Sequence, residues 1–319
     1  MQNNIVDSKD AGQRLDKYIK KMFPNAPVSL LYKMLRKKNI TLNNKKADGS
    51  EIISGGDAIK TFFSDETYEK FRGKPEKPFT KEVIKNSNYI SLEIIYENED
   101  VLFFNKPAGV LSQSDDKNVF SVNSYLLSYL SKNNKSLKDE NYKPSICNRL
   151  DRNTSGIIMC AKTYRGARFL DDCIKNHRLI KEYYAICHGH LTGSDTLKGY
   201  LSKDRENNIV TVSKNSNGDD SYIETKYEAL ESRPEYSLIR VNLITGKSHQ
   251  IRAHMASINH PLAGDKKYGG KVYGKIPYQM LHSKSVTFPK LTDENEINMF
   301  SDLSGKCFEA SLPDYFKLT

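Results

Sequence analysis

The sequence lacks any long apolar run. No stretch approaches the roughly 18 consecutive apolar residues that a membrane-spanning helix needs. The first ten residues are polar, so they lack the apolar core of a signal peptide. At 319 residues the chain is long enough for about two domains. These features predict a globular protein that stays in the cytoplasm and does not bind a membrane.

Closely spaced cysteines are also lacking. The five cysteines stand far apart without a Cys-x-x-Cys pair, whereas structural zinc sites favour closely spaced ligand pairs. The sequence likewise has no Gly-x-Gly-x-x-Gly run, no Walker lysine loop and no His-Glu-x-x-His motif. We therefore expect reduced, mostly structural thiols and a protein that uses no metal, nucleotide or redox cofactor.

Positive charge is plentiful. Lysine and arginine number 49 against 39 acids, which gives a formal net charge of +10. Such an excess generates a long-range potential that attracts phosphate backbones. A basic surface that only confers solubility is the alternative, so charge alone does not assign a nucleic-acid partner.

Residues 12–63 have the pattern of a small α/β domain. Leu15, Ile19 and Met22 fall on one face of a predicted helix, and Ser29 is a candidate N-cap for a second helix, which two short strands follow. The exposed face of the second helix is basic, and an ordinary solvated helix face would have the same pattern. Its predicted RNA-binding residues are Lys33, Arg36, Lys37 and Lys38.

A linker and a larger domain follow. Residues 64–88 are rich in Lys, Glu and Pro and predict a linker, so that the second domain covers residues 89–319. Strands are predicted at residues 92–96, 101–105, 156–161, 183–188, 225–230 and 237–243, and helices at residues 122–131, 164–176 and 249–258. Because strands and helices do not alternate regularly, the pattern predicts an α+β fold.

One aspartate lies in a polar loop that ends where an apolar strand begins. The loop reads Asn148-Arg149-Leu150-Asp151-Arg152-Asn153-Thr154-Ser155-Gly156. A loop held by a rigid strand is a common way to expose a reactive carboxylate. A structural aspartate that caps a turn is the alternative for Asp151.

A second polar run offers a cation that could pair with Asp151. It reads Thr245-Gly246-Lys247-Ser248-His249-Gln250-Ile251-Arg252-Ala253-His254. A guanidinium stabilises a neighbouring carboxylate and aims it, although a surface arginine on a helix would look the same as Arg252. His249 and His254 are five residues apart, which places them on different faces of a helix and disfavours a metal site.

Together the two runs resemble the signature motifs of the RluA-type family of RNA pseudouridine synthases, in particular its RluC/RluD-like branch. The turn Asn105-Lys106-Pro107-Ala108-Gly109 and the segments Lys181-Glu182-Tyr183-Tyr184-Ala185 and Leu281-His282-Ser283 resemble further parts of that family. The resemblance implies a catalytic domain with a mixed, largely antiparallel sheet of the pseudouridine synthase type. It also implies that the small α/β domain before it is an S4-like RNA-binding domain.

The family reaction breaks the bond between ribose C1′ and uracil N1, turns the uracil and joins C5 to C1′. The resemblance implies that Asp151 attacks C1′ or takes a proton from C2′, that Arg252 is its partner and that Tyr183 stacks on the uracil. A core tyrosine is the alternative for Tyr183. Arg149 corresponds to an arginine that fills the gap left by a flipped uridine, and a salt-bridged loop residue is the alternative. The other predicted RNA-binding residues are Arg152, Lys106, Lys247, His249 and Gln250.

Two positions depart from the family motifs. Asn148 stands where the first motif usually has His, and Lys247 stands where the second usually has Arg. Asparagine cannot titrate, and lysine loses bidentate contact with phosphate. Neither departure touches the set of Asp151, Tyr183 and Arg252.

We therefore predict an enzyme that isomerises specific uridines in the 23S RNA of the large ribosomal subunit, as a monomer and without a cofactor. A tRNA-directed pseudouridine synthase and an RNA- or ribosome-binding protein without catalysis are the alternatives. A carboxylate-dependent glycosidase is a third reading, and it lacks a convincing second acid near the first in sequence.

Overall fold

The computed structural model describes residues 1–72, 91–116, 119–132, 142–204, 209–216, 218 and 220–318. These residues form an amino-terminal unit with its own buried core and a larger carboxy-terminal unit built on one extended sheet. Within the described part of the chain, no helix is both long enough and apolar enough to cross a membrane.

The amino-terminal unit packs three helices with a four-stranded antiparallel sheet. The helices are α1 (Leu15–Met22), α2 (Val28–Arg36) and α3 (Asp65–Arg72), and the strands in sheet order are β1 (Gln2–Ile5), β4 (Ala58–Thr61), β2 (Ile40–Leu42) and β3 (Lys45–Lys46). Leu15, Ile19 and Met22 are buried in its core, as their helical spacing predicted. The four cations Lys33, Arg36, Lys37 and Lys38 are exposed at the end of α2 and just beyond it.

The observed unit is larger than the predicted one. Strand β1 pairs with β4, and Tyr68 and Phe71 of α3 are buried beside Phe23 and Phe63. The linker predicted at residues 64–88 therefore starts too early, and its part from residue 73 onward lies outside the described residues. The apolar pair three residues apart on α3 was the signal for a helix, and the surrounding charged residues concealed it.

The predicted N-cap at Ser29 was wrong. Helix α2 begins at Val28, two residues earlier than a cap at Ser29 implies, with Pro27 in the N-cap position and without a side-chain capping hydrogen bond. Ser29 is therefore inside the first turn. The fixed φ of proline directs the chain into the helix without the help of a polar cap.

The carboxy-terminal unit contains eleven strands in one mixed sheet. They are β5 (Glu93–Glu97), β6 (Val101–Lys106), β7 (Ser145–Ile146), β8 (Ser155–Ala161), β9 (Ile180–His188), β10 (Ser194–Asp204), β11 (Ile209–Ser213), β12 (Ser221–Ser232), β13 (Tyr236–Leu243), β14 (Leu281–Thr287) and β15 (Cys307–Glu309). The order is β11-β10-β12-β13-β9-β14-β8-β6-β5, with β7 on β8 and β15 on β14. Among the described residues every strand pair of this sheet is antiparallel except β8 with β14. The predicted α+β fold with a largely antiparallel sheet is confirmed.

Helices cover both faces of this sheet. Helices α4 (Val122–Lys132) and α6 (Gln250–Ser257) pack on one face, and α5 (Tyr164–Lys175) and α7 (Glu294–Phe300) pack on the other. Strand β6 follows this division, because Leu102 and Phe104 face the first pair of helices whereas Val101 and Phe103 face the second. Covered on both faces, β6 and β8 are continuous apolar runs, and the sequence predicted both.

Strands β8 and β14 meet in a short parallel pair directly after the polar loop that carries Asp151. His282 is paired with Ser155, and Ser283 with Gly156. Gly156 has φ +107°, and a Cβ placed there would lie 2.2 Å from the carbonyl oxygen of Ser283. Only glycine fits this junction, because a side chain would be strained and would also push β14 away.

We expect Gly156→Ala to lower the free energy of unfolding by about 2–5 kcal/mol, from left-handed strain and from displacement of β14. The control is Gly269→Ala, with φ +89° and open space at the Cβ position, which should lose only about 1–2 kcal/mol. Urea unfolding of both variants measures the difference, and equal losses would exclude the backbone clash as the cause.

His282 gives the same junction a pH dependence. Its Nδ1 lies 2.9 Å from Ser155 Oγ, its side chain is fully buried, and burial lowers its pKa to about 4. An unfolded histidine titrates near pH 6.5. Between about pH 6.5 and pH 4 the unfolded state therefore binds a proton at this residue whereas the folded state does not, so acidification favours unfolding. The stability contributed by neutral His282 is therefore complete above pH 6.5 and is lost on acidification.

We expect wild type to lose roughly 2 kcal/mol more stability than His282→Gln between pH 7 and pH 5, because only wild type has this histidine to protonate. Urea unfolding at the two pH values measures the loss for each protein. The exposed His190→Gln variant is the control for removing a histidine. Parallel losses in wild type and His282→Gln would contradict the assignment.

Candidate active site

The loop of residues 148–154 lies between β7 and β8 and is fixed by hydrogen bonds at its first residue and near its middle. The side chain of Asn148 accepts a hydrogen bond from Met159 N (2.7 Å) and donates one to Ile157 O (3.3 Å). Ser112 Oγ donates to Leu150 O and accepts from Leu150 N. Asn148 thus holds the loop against β8, a task that needs one donor and one acceptor but no titration.

Lys106 supports the loop from the interior of the protein. Its side chain is fully buried, and Nζ donates to the carbonyl oxygens of Pro107, Val110 and Arg152 at 2.8–3.0 Å. The pKa of Lys106 is lowered to about 7, because the effect of burial exceeds the opposing effect of the negative charge of Asp151. The ammonium form uses all three of its protons, so hydrogen bonding favours that form. Lys106 was predicted to bind RNA, and this placement is a correction: the turn after β6 folds the side chain under the loop instead.

Arg252 joins the loop to α6 and to a second aspartate. Its Nη1 donates to Asp151 Oδ2 at 2.7 Å, while Nε and Nη2 donate to the two carboxylate oxygens of Asp265 at 2.6 and 2.8 Å. Asp265 is 2% exposed, so the fork geometry is fixed in the interior. Burial lowers the pKa of Arg252, but the two aspartates together raise it above its ordinary value. The predicted partnership of Asp151 with Arg252 is present.

His249 is the residue immediately before α6 and has the left-handed φ of +58°. Tyr268 Oη accepts a hydrogen bond from Val210 N (3.1 Å) and lies 2.9 Å from His249 Nδ1. His249 Nδ1 and the Tyr268 hydroxyl are therefore hydrogen-bonded, and the other ring nitrogen, Nε2, is directed toward Asp151. This Nε2 lies 3.7 Å from Asp151 Oδ2. Burial lowers the pKa of His249 against the opposing charge of Asp151, which favours the neutral ring.

Gln250 was predicted to bind RNA, but it is 2% exposed and holds the protein together instead. Its amide nitrogen donates to Glu224 O and Thr225 Oγ1, and its oxygen accepts from Thr245 Oγ1 and Lys247 N. All of its hydrogen-bonding groups are used inside the protein, as expected for a buried amide. Gln250 fixes the turn before α6, and Lys247 is left exposed on that turn.

Tyr183 and Tyr184 point to opposite faces of β9, as the strand period requires. Tyr183 is 8% exposed, belongs to the core on the α4 and α6 side, and lines the cleft beside the loop. Tyr184 packs with Ile186 and Tyr273 on the other face. Burial raises the pKa of Tyr183, and the side chain of Ser283 hydrogen-bonds to it.

These residues surround a cleft of about 1260 Å³. Arg149 and Arg152 are exposed at its wall, and Arg152 Nε donates to Gly109 O. Among the described residues that line it, Asp151 is the sole acid, whereas seven are cations: Arg149, Arg152, Lys175, Lys181, Lys247, Arg252 and Lys267. Such a cleft attracts a polyanion and presents one carboxylate to it.

Three contributors to the site were not among the predicted site residues: Asp265, Tyr268 and Lys181. The signal for Asp265 was its neighbour Gly264, whose φ is +79° and whose Cβ would lie 2.0 Å from Tyr278 O. The backbone conformation at residue 264 requires glycine, and this conformation determines where the carboxylate of Asp265 lies. In the described residues, no three His, Cys, Asp or Glu side chains are grouped so that they could hold a metal ion.

A paired carboxylate beside a buried tyrosine, in a cationic cleft on a mixed sheet, is the arrangement of an enzyme that uses a carboxylate on a polyanionic substrate. The family described as RNA pseudouridylate synthase matches residues 100–257. The sequence is 32% identical to ribosomal large subunit pseudouridine synthase C of Rickettsia felis, over 98% of this chain and 97% of that protein. It is 29% identical to an uncharacterised RNA pseudouridine synthase of Mycoplasma pneumoniae, over 98% and 95% of the two chains.

The fold agrees with these similarities. A structure of human RNA pseudouridylate synthase domain containing 4 aligns with a TM-score of 0.54 at 19% identity, over 70% of this chain and 89% of that chain. The chain belongs to the RluA-type family of RNA pseudouridine synthases. It is an isomerase that converts uridine in RNA to pseudouridine.

We expect Arg252→Met to lower the free energy of unfolding by about 3–5 kcal/mol, because it leaves Asp265 charged and buried without a partner. Urea unfolding at pH 7 measures the loss. The control Arg36→Met removes an exposed guanidinium of α2 and should change stability by no more than about 0.5 kcal/mol. Adding Asp265→Asn to Arg252→Met should recover part of the loss, and a further loss of the same size would contradict the explanation.

Proposed function

We propose that this enzyme acts on the 23S RNA of the large ribosomal subunit, with Asp151 as its catalytic carboxylate and without a cofactor. The substrate is supported by relatives named ribosomal large subunit pseudouridine synthase C, one of which matches nearly the whole chain. One observation carries the catalytic assignment: the only acid among the described cleft residues is the one that Arg252 holds.

The geometry suits a carboxylate that reacts at the ribose. Arg252 Nη1 and His249 Nε2 both approach Asp151 Oδ2, so among the described contacts Oδ1 is the oxygen left to face the sugar. It can form a bond to C1′ as the bond to N1 breaks, or take the proton from C2′. Arg252 aims the carboxylate, and Asp265 aims Arg252.

Tyr183 is the proposed platform for the uracil. The ring lies in the cleft wall, where a detached base can stack while it turns. A proton must leave C5 after the new bond forms. The raised pKa of Tyr183 keeps its hydroxyl neutral at pH 7. A neutral hydroxyl can accept the C5 proton only if it donates its own proton to a neighbouring group, such as the side chain of Ser283.

The predicted RNA-binding residues that are not buried are the proposed contacts with the RNA strand. Arg149 is exposed at the cleft wall, where its guanidinium plane can stack in the gap left by the flipped uridine and offset part of the unstacking cost. Arg152, Lys247 and His249 line the same cleft and complete the proposed contacts. The basic end of α2, with Lys33 and Arg36, is the proposed contact of an S4-like unit with structured RNA.

We expect Asp151→Ala to slow isomerisation by at least about 10³-fold, because the reaction loses its base or nucleophile, while affinity for RNA persists through the cations. Release of tritium from a large-subunit RNA transcript made with [5-³H]uridine measures turnover, since C5 exchanges its hydrogen for the bond to C1′. The control Asp195→Ala removes an exposed aspartate outside the cleft. An Asp151→Ala protein with the wild-type rate would refute the assignment.

Pseudouridine mapping in cells that lack the gene distinguishes the substrates. Sites lost from 23S RNA and restored by wild type but not by Asp151→Ala support the proposal. Loss confined to tRNA would favour the tRNA-directed alternative. An unchanged map, with RNA binding by the purified protein but no tritium release, would favour the binding-protein alternative.

A further inference from the structure

Lys181 lies on β9 two residues before Tyr183. Side chains at positions i and i+2 of a strand point to the same face, about 7 Å apart. Both residues line the cleft, whereas Glu182 between them points to the opposite face and accepts a hydrogen bond from Ser285 Oγ. A single nucleotide is long enough to contact both Tyr183 and Lys181.

The ammonium of Lys181 lies against the turn that precedes α6. A Cβ placed on Gly246 would be 3.4 Å from Lys181 Nζ. Gly246 and Lys247 are exposed and line the cleft. The absence of a side chain at residue 246 therefore leaves the ammonium open toward the cleft on the side where Lys247 stands.

Lys181 has no acidic partner in the described part of the chain, where burial alone shifts its pKa. It is half-buried, and burial lowers its pKa with no neighbouring carboxylate to oppose the shift. A half-buried cation without a counter-charge is costly, and an anionic ligand would remove that cost.

We propose that Lys181 and the turn of residues 245–247 form a subsite for a backbone phosphate of the RNA, next to the uridine that lies on Tyr183. The subsite rests on the proposed function, because it requires the RNA strand to enter this cleft. The ammonium of Lys181 donates to the phosphate oxygens, and Lys247 adds a second positive charge from the turn. Lys181 is thus a binding residue that positions the nucleotide and takes no part in bond breaking.

The test compares wild type with Lys181→Met, which keeps the length of the side chain without its charge, and with Lys181→Arg, which keeps the charge. The control Lys226→Met removes an exposed lysine of β12 that does not line the cleft. The probe is the large-subunit RNA transcript with [5-³H]uridine. Single-turnover tritium release is measured against enzyme concentration at about 50–200 mM salt.

We expect Lys181→Met to raise the half-saturating enzyme concentration about tenfold while the rate at saturation stays at the wild-type value. The slope of log affinity against log salt should become shallower by about one phosphate contact. Lys181→Arg should restore both quantities, and Lys226→Met should match wild type. Lys181→Gln provides a second neutral variant in case Lys181→Met does not fold.

Wild-type affinity and salt dependence in both neutral variants would overturn the subsite while leaving the proposed function intact. A similar loss in Lys226→Met would also overturn it, because the effect would then come from net charge alone. No tritium release by wild type would instead overturn the proposed function. A fall in the saturated rate without a change in affinity would assign Lys181 to the chemistry and refute a phosphate-binding role.

Discussion

The guanidinium of Arg252 donates hydrogen bonds to two aspartates, and the position of the catalytic carboxylate depends on which nitrogen binds which aspartate. Asp265 takes two of its nitrogens in the interior, which leaves Nη1 for Asp151. Because the inner pair is buried, the position of Nη1 is determined by the protein and not by solvent. Asp151 is therefore aimed by a rigid group although its own loop is partly exposed.

The start of α6 shows what holds that arginine in place. His249 adopts a left-handed φ that costs about 1–2 kcal/mol for a residue with a side chain. The hydrogen bond between His249 and Tyr268, together with the four hydrogen bonds of Gln250, offsets this cost. The strained turn brings His249 and Arg252, which are three residues apart along the chain, to the same carboxylate.

The sequence predicted the parts of the fold with a clear apolar period. Strands β6 and β8 and helices α4 and α5 were located within a few residues. Strands β10 and β14 were missed for different reasons. β10 is an exposed, polar strand near the sheet edge. In β14 several buried positions are occupied by polar residues, namely His282 and serines. A buried polar strand has no alternation of hydrophobicity to detect, because hydrogen bonds such as the one between His282 and Ser155 replace apolar contacts.

Predictions for the site divided along the same line. Asp151, Arg252 and Tyr183 follow from the family motifs, and the structure brings all three to one cleft. Lys106 and Gln250 belong to those motifs as well, yet both side chains face the interior. A motif records which residues a site requires, and it does not distinguish a group that contacts the substrate from one that holds the loop. That distinction required the burial and hydrogen bonds of each side chain.

The charged residues of the cleft differ in whether an opposite charge in the protein neutralises them. Asp265 neutralises Arg252, so the group of Arg252, Asp265 and Asp151 carries a net negative charge, and the carboxylate keeps its charge for the ribose. None of the other six cations in the cleft wall forms an ion pair with an acid among the described residues, so their attraction is available to phosphates. A second acid near Asp151 would weaken that attraction, whereas a free Arg252 would pair with a phosphate and leave Asp151 without support. The buried Asp265 prevents the second outcome, because it binds Arg252 in the interior.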